Sequence, residues 1–146
     1  MEIISKEFIK PSSPTTMDSK KTCQHLKQSL SESLTRFYPL AGRINDSNLC
    51  FIDCDDSGAL FIEAQVHAQL SEKLSQSTAI EELNQYLPLE LYAHDADNIP
   101  LAIQISFFEC GGMAIGVCIS HKVADAMSFV TFMTTWADGI FISMQV

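Results

Sequence analysis

With 146 residues, nine of them basic and eighteen acidic, the chain is long enough for one domain with a true core, because a chain of about 150 residues buries ~70% of its unfolded surface. After Lys73 the only lysine or arginine is Lys122, against eight carboxylates from Glu81 to Asp138, and a surface of that sign repels nucleic acid and anionic lipid. No stretch reaches the ~20 apolar residues that span a bilayer, and Glu2, Lys6, Glu7 and Lys10 interrupt the apolar runs of the amino terminus, so neither a membrane segment nor a signal peptide is read and a cytoplasmic protein is expected.

In chain order, residues 10 to 17, KPSSPTTM, carry two prolines and several hydroxyl side chains, and residues 1–22 read as an extended lead-in. Helix is predicted next. In CQHLKQSLSESLTRFYPL the apolar positions Leu26, Leu30, Leu34 and Phe37 follow helical spacing, and Pro39 and Gly42 supply the stop. Short strands follow over Leu49 to Asp53 and Ala59 to Val66, separated by the turn residues DDSG. Two helical stretches, Leu70 to Ser75 and Ala79 to Tyr86, are closed by Pro88, and the acidic loop AHDADNIP leads into the strongest sheet signal. There LAIQISFFE and MAIGVCIS flank Cys110-Gly111-Gly112, which predicts a hairpin whose two glycines take positive backbone angles.

The second arm, Met113 to Ile119, has almost no polar face, so both of its sides are expected to be covered. After it, DAMSFVTFMTTWA has helical length and carries no charge between Asp125 and Asp138. Apolar residues spread around such a helix predict burial on several sides. Residues 138–146 read as a divergent apolar tail of strand-forming composition, a segment expected to pair with copies of itself.

The chemistry concentrates at His121. A histidine that ends a buried strand and enters a turn before a helix sits on a rigid support with a free tip. Its ordinary pKa near 6.5 lets an imidazole take a proton from a hydroxyl or amine at neutral pH. A satisfied structural histidine is the other reading of the same spacing. Asp125, four residues on, either orients His121 as the acid of a triad does or caps the following helix. Ser120 cannot easily be a nucleophile beside His121, because strand neighbours point to opposite faces, and Cys118 shares its parity and reads as core.

The remaining candidates are weaker. His94 lies in the acidic loop, while His25 and His67 read as solvated or locally bonded side chains. Asp95 and Asp97 lack further oxygen ligands for a cation nearby. Five cysteines (Cys23, Cys50, Cys54, Cys110, Cys118) are an odd number without regular spacing, which suits reduced thiols, and Cys50 with Cys54 has no second Cys/His pair to complete a zinc site.

Three blocks, KPSSPT at 10–15, LTRFYPLAGRI at 34–44 and SHKVADAMSFVTFMTTWA at 120–137, together resemble the plant BAHD acyltransferases, especially the branch of vinorine synthase and the acylsugar acyltransferases. The resemblance implies an α/β fold (an α+β sandwich), here the amino-terminal half of a chloramphenicol-acetyltransferase-like two-domain fold, with a mixed sheet and flanking helices. It divides the chain into the lead-in, an incomplete amino-terminal acyltransferase domain over 23–137, and the tail. The implied activity moves an acyl group from acyl-CoA, a co-substrate rather than a permanently bound cofactor, to a hydroxyl or amine of a specialised metabolite. His121 would be the general base, Asp125 a structural support of the site, and no metal, nucleic acid or membrane is involved. Full-length members are expected to be monomers.

Several features depart from the family's pattern. The DFGWG motif of the second domain is absent, only Thr16 to Thr22 separate KPSSPT from the helix, and Ala126 stands where glycine is frequent. A truncated amino-terminal part is therefore expected. Its alternative reading is a catalytically inactive chain, inert or associating with full-length relatives.

Overall fold

The four-residue recurrence of Leu26, Leu30 and Leu34 becomes, in a computed structural model, the fully buried stripe of helix α1 (Met17–Arg36). The structure describes residues 4–8, 17–45, 51–75, 80–88 and 98–143. Each of those leucines contributes about 1.5–3 kcal/mol by leaving water. Pro39 has no N–H to continue the helix, and the chain tightens into a 3-10 turn (Tyr38–Ala41) in which Leu40 N–H donates to the Phe37 carbonyl at 2.9 Å.

Among the described residues nine further elements follow or precede it: β1 (Ile4–Phe8), β2 (Arg43–Asn45), β3 (Phe51–Asp53), β4 (Leu60–Val66), α2 (Leu70–Ser75), α3 (Ile80–Asn84), β5 (Leu101–Phe108), β6 (Met113–Ile119) and α4 (Ala126–Ser143). Four strands form a mixed sheet in the order β1-β4-β5-β6, parallel at the first two junctions and antiparallel at the last. A separate antiparallel ribbon joins β2 to β3. The mixed sheet with flanking helices is the fold class that the resemblance implied.

Strand parity sorts the sheet into two faces. Phe61, Ile103 and Ile105 on one face meet α1 and α4 in the main core, which α4 completes with Phe132 and Trp136. Leu60, Ile62 and Ala102 on the other make a smaller cluster. On that second face Gly116 is required: a Cβ there would fall 1.9 Å from the Tyr86 carbonyl oxygen, so the backbone of 86–87 lies directly on the strand.

The seam between α1 and α4 is polar at its centre and satisfied. The Trp136 indole N–H lies 3.1 Å from Ser29 Oγ and 3.3 Å from the Leu26 carbonyl, while Phe132 meets Phe37 edge-on at 5.5 Å between ring centres. Under α1, Lys27 bonds Glu63 of β4 and lies 5.2 Å above the Phe61 ring. Cys23 beside them is buried, and that burial, with the Glu63 carboxylate as a second cause, pushes its thiol up to about 12.

Five expectations need correction. The lead-in contains β1, and α1 begins at Met17, six residues before the predicted helix. β2 was not anticipated. Of the two hairpin glycines only Gly111 has a positive φ, +82°; its N–H donates to the Phe108 carbonyl at 3.0 Å and Phe108 N–H to Gly112 at 2.9 Å, a three-residue loop with one left-handed position. β6 is not covered on both sides: among the described residues it is the last strand of the sheet, and Met113 and Ile115 are exposed. α4 is buried on one face only, with Met127, Val130 and Phe141 facing water, and it runs through residues 138–143, where strand-forming composition had been read. Residues 10–16, the start of the 49–53 strand, Ala79, most of the acidic loop and 144–146 lie outside the described residues.

Two outcomes follow from this core. Trp136→Ala should lower unfolding free energy in urea by about 3–5 kcal/mol, whereas Phe141→Ala, on the exposed face, should leave it nearly unchanged; equal losses would refute the one-sided packing of α4. The raised Cys23 thiol keeps its proton in the folded chain while the unfolded thiol loses it above about 9. The unfolded state then binds fewer protons, so wild-type stability should fall between pH 9 and about 12, and should fall more steeply there than that of Cys23→Ala.

Candidate active site

β6 ends at Ile119, and the chain turns around the carbonyl of Ser120. Val123 and Ala124 N–H groups donate to that oxygen at 3.0 and 3.1 Å, and Lys122 N–H reaches Ser120 Oγ at 3.3 Å. Ser120 N–H is itself held by the Pro100 carbonyl at 2.9 Å, just before β5 begins. Ala124 is buried and Val123 partly so, anchoring the far side of the turn. His121 is at the crest of this turn, exposed, and its ring has no hydrogen-bond partner among the described residues.

Asp125 faces the other way. Its Oδ1 accepts the Ser128 N–H at 2.8 Å while its own carbonyl accepts the first α4 bond from Phe129 at 2.9 Å, the geometry of a helix N-cap. The Ser128 hydroxyl and backbone N–H hold the Asp125 carboxyl below its ordinary 3.8. Of the two roles open to Asp125, the cap is the one the structure contains; no carboxylate–imidazole bond to His121 is present among the described residues.

None of the other sequence candidates joins this turn. Cys118 points into the smaller core cluster, where burial raises its thiol. His67 Nδ1 lies 3.3 Å from Glu109 Oε1 at the opposite end of the sheet, both exposed. Cys110, at the hairpin tip, has its thiol lowered by backbone hydrogen bonds with Leu70 and Gly112. Cys54 is exposed, His25 lies on α1, and Cys50, His94, Asp95 and Asp97 fall outside the described residues. Sequence reasoning missed two polar groupings. One is Lys27 and Glu63 beside Cys23; the other is Arg43, whose guanidinium donates to the carbonyls of Gly42, Gly58 and Ser57 at 2.7, 2.8 and 3.3 Å and ties the ribbon to the turn before β4. Partners so far apart in sequence leave no local signal.

The mixed sheet with α1 and α4 packed on one face is matched by solved transferases. The crystal structure of vinorine synthase matches with a TM-score of 0.77 and 48% identity over 88% of this chain and 32% of that one. TRI101 of F. sporotrichioides, complexed with coenzyme A and T-2, shares the fold with a TM-score of 0.61 at 13% identity. The fold class is therefore that of these transferases.

The transferase family model matches residues 12–140, and the chain belongs to this family, that of the plant BAHD acyltransferases. Stemmadenine O-acetyltransferase of Catharanthus roseus is 45% identical and vinorine synthase of Rauvolfia serpentina 43%, each over 93% of this chain. The chain spans 41% of the length of each. No helix among the described residues is long and apolar enough to cross a membrane.

The cap yields a signed prediction. Asp125→Ala should lower the thermal midpoint by a few degrees at neutral pH. Because the folded carboxyl titrates below 3.8, the cap's stabilisation is full above that value and is lost as pH falls through the lowered folded pKa, so wild type and variant should converge in acid. A gap that persists unchanged at pH 2 would rule out the charged cap as its source.

Proposed function

We propose that the chain carries the general base of an acyl-CoA-dependent acyltransferase, acting on a hydroxyl or amine of a plant specialised metabolite. His121 accepts the proton of that group as its oxygen or nitrogen attacks the thioester carbonyl carbon. The tetrahedral adduct collapses, the C–S bond breaks, and the thiolate of coenzyme A takes the proton back from the imidazolium. Asp125 supports the site by fixing the start of α4, with no proton transfer of its own. The observation that carries this reading is the exposed His121 ring on a turn whose backbone is bonded from both sides, in a chain of this family.

Acyl-CoA is a co-substrate in this scheme, and the setting is the cytoplasm. A second reading has a specific observation behind it. The apolar outer face of α4 is open to water, which suits a chain that is inactive alone and inert or associated with full-length relatives.

Thiol release separates the two. Purified chain incubated with acetyl-CoA and a panel of alcohols and amines should liberate free coenzyme A in an acceptor-dependent manner, and His121→Ala should reduce that rate by roughly a hundred- to ten-thousand-fold, the usual worth of a general base. Acceptor-dependent release that survives His121→Ala would remove His121 from the chemistry, and no release from wild type with any acceptor would favour the second reading.

A further inference from the structure

The segment from α3 to Pro88 crosses the face of the sheet opposite α1 and α4, and its hold there is slight. Glu82, Leu83, Asn84 and Gln85 are exposed, while Tyr86 and Pro88 are buried. Its own bonds are local: Gln85 Nε2 donates to the Glu82 carbonyl at 2.6 Å, and the N–H groups of Tyr86 and Leu87 donate to the carbonyls of Leu83 and Asn84, both at 3.0 Å. Its ties to the sheet are different in kind. Gln104 Nε2 of β5 donates to the Gln85 carbonyl at 2.9 Å, the Tyr86 ring lies 5.6 Å from that of Phe108 between centres, and the backbone of 86–87 rests on Gly116 of β6.

Docking is penalised where it is tightest. Tyr86 is 9% exposed, and its hydroxyl, shut off from water, has no hydrogen-bond partner among the described residues. The closed segment therefore holds a phenol stripped of its hydration without a replacement bond. On release, the Gln85 carbonyl meets water, and the Gln104 amide keeps Ser106 Oγ, 3.1 Å away, as an acceptor. Opening removes an unsatisfied group and leaves these polar groups satisfied. What opposes it is apolar: the body of the Tyr86 ring leaves Phe108, and Pro88 leaves its buried seat.

We infer that residues 80–88 form a strap that opens as a unit while the four-stranded sheet stays paired, with the Tyr86 hydroxyl working against closure and Gly116 permitting it. A segment with few buried contacts opens at a lower free energy than the core it lies on. Closure needs a bare strand at one point: a Cβ at 116 would fall 1.9 Å from the Tyr86 carbonyl oxygen and 2.9 Å from its carbon, and contacts with backbone on both sides are relieved by lifting the strap. Opening uncovers Gln104 and Ser106 in the middle of the sheet, both buried when the strap is closed. The device does not depend on the role of His121.

Amide hydrogen exchange of the whole chain, read peptide by peptide in a mass spectrometer, tests this. In wild type, protection in 80–88 should be lower than in β5 by about tenfold or more. Tyr86→Phe, which removes the hydroxyl and keeps the ring, should slow exchange in 80–88 by about five- to a hundredfold, the penalty of one buried unsatisfied group read as an equilibrium ratio. Gly116→Ala should leave 80–88 unprotected and β5 protected. A common protection for 80–88 and β5 in wild type would overturn the strap as a separate unit, as would protection of 80–88 retained in a folded Gly116→Ala chain. Exchange in 80–88 that is unchanged or faster in Tyr86→Phe would show the hydroxyl to be satisfied in the closed state and would overturn the proposal equally. Should Gly116→Ala fail to fold, the wild-type and Tyr86→Phe measurements decide alone.

Discussion

Everything near His121 depends on how α4 is held, and the indole of Trp136 is what holds it. Its N–H enters a buried polar point shared by Ser29 Oγ and the Leu26 carbonyl, and Ser29 Oγ itself lies 3.1 Å from that carbonyl. A buried indole N–H with no acceptor would lose its hydration without return, so this contact fixes both the depth and the rotation of α4 on α1. Phe132, one turn earlier, then falls between Phe37 and Trp136. Helix position is decided at this seam rather than by helix propensity.

From the seam the constraint passes to the turn. The amino-terminal end of α4 is where Asp125 must sit, and the segment from Ser120 to Asp125 must bridge β6 to that point. Pro100 is suited to the other anchor: it has no N–H of its own to satisfy, and its carbonyl takes the Ser120 N–H at the mouth of β5. The turn is therefore bonded at both ends and around its middle, with the side chain of His121 exposed. Asp125 and His121 are placed differently within five residues. Asp125 is occupied by backbone, and the imidazole is left to solvent.

Features set by short-range chemistry were legible in the sequence. The leucine stripe of α1, the hairpin turn and the position of His121 after a strand each follow from residues within one or two turns of one another. β1 was not legible, because its pairing joins Ile4 to Leu60 across more than fifty residues and its charges argue against a strand. The carboxyl end of α4 was misread for a related reason. Isoleucine and phenylalanine in GIFIS favour strand when considered alone, yet a helix already fixed at Trp136 propagates through them, since each added residue needs only one further hydrogen bond. The one-sided burial of α4 was misread because composition counts apolar residues without saying what lies opposite them.

Composition also understates how apolar the outer face of α4 is. Thr131, Thr134 and Thr135 look like its polar element, but their hydroxyls donate to the carbonyls of Met127, Val130 and Thr131, four residues back, at 2.8, 2.9 and 2.9 Å. A hydroxyl bonded to its own helix is partly withdrawn from water. Between Met127, 71% exposed, and Val130, 54% exposed, the surface offers water little to bond. Nine excess negative charges act over a screening length of about 8 Å at physiological salt, so they slow the approach of two chains without wetting this face. Its behaviour in solution is governed by the hydroxyls that the helix has already used.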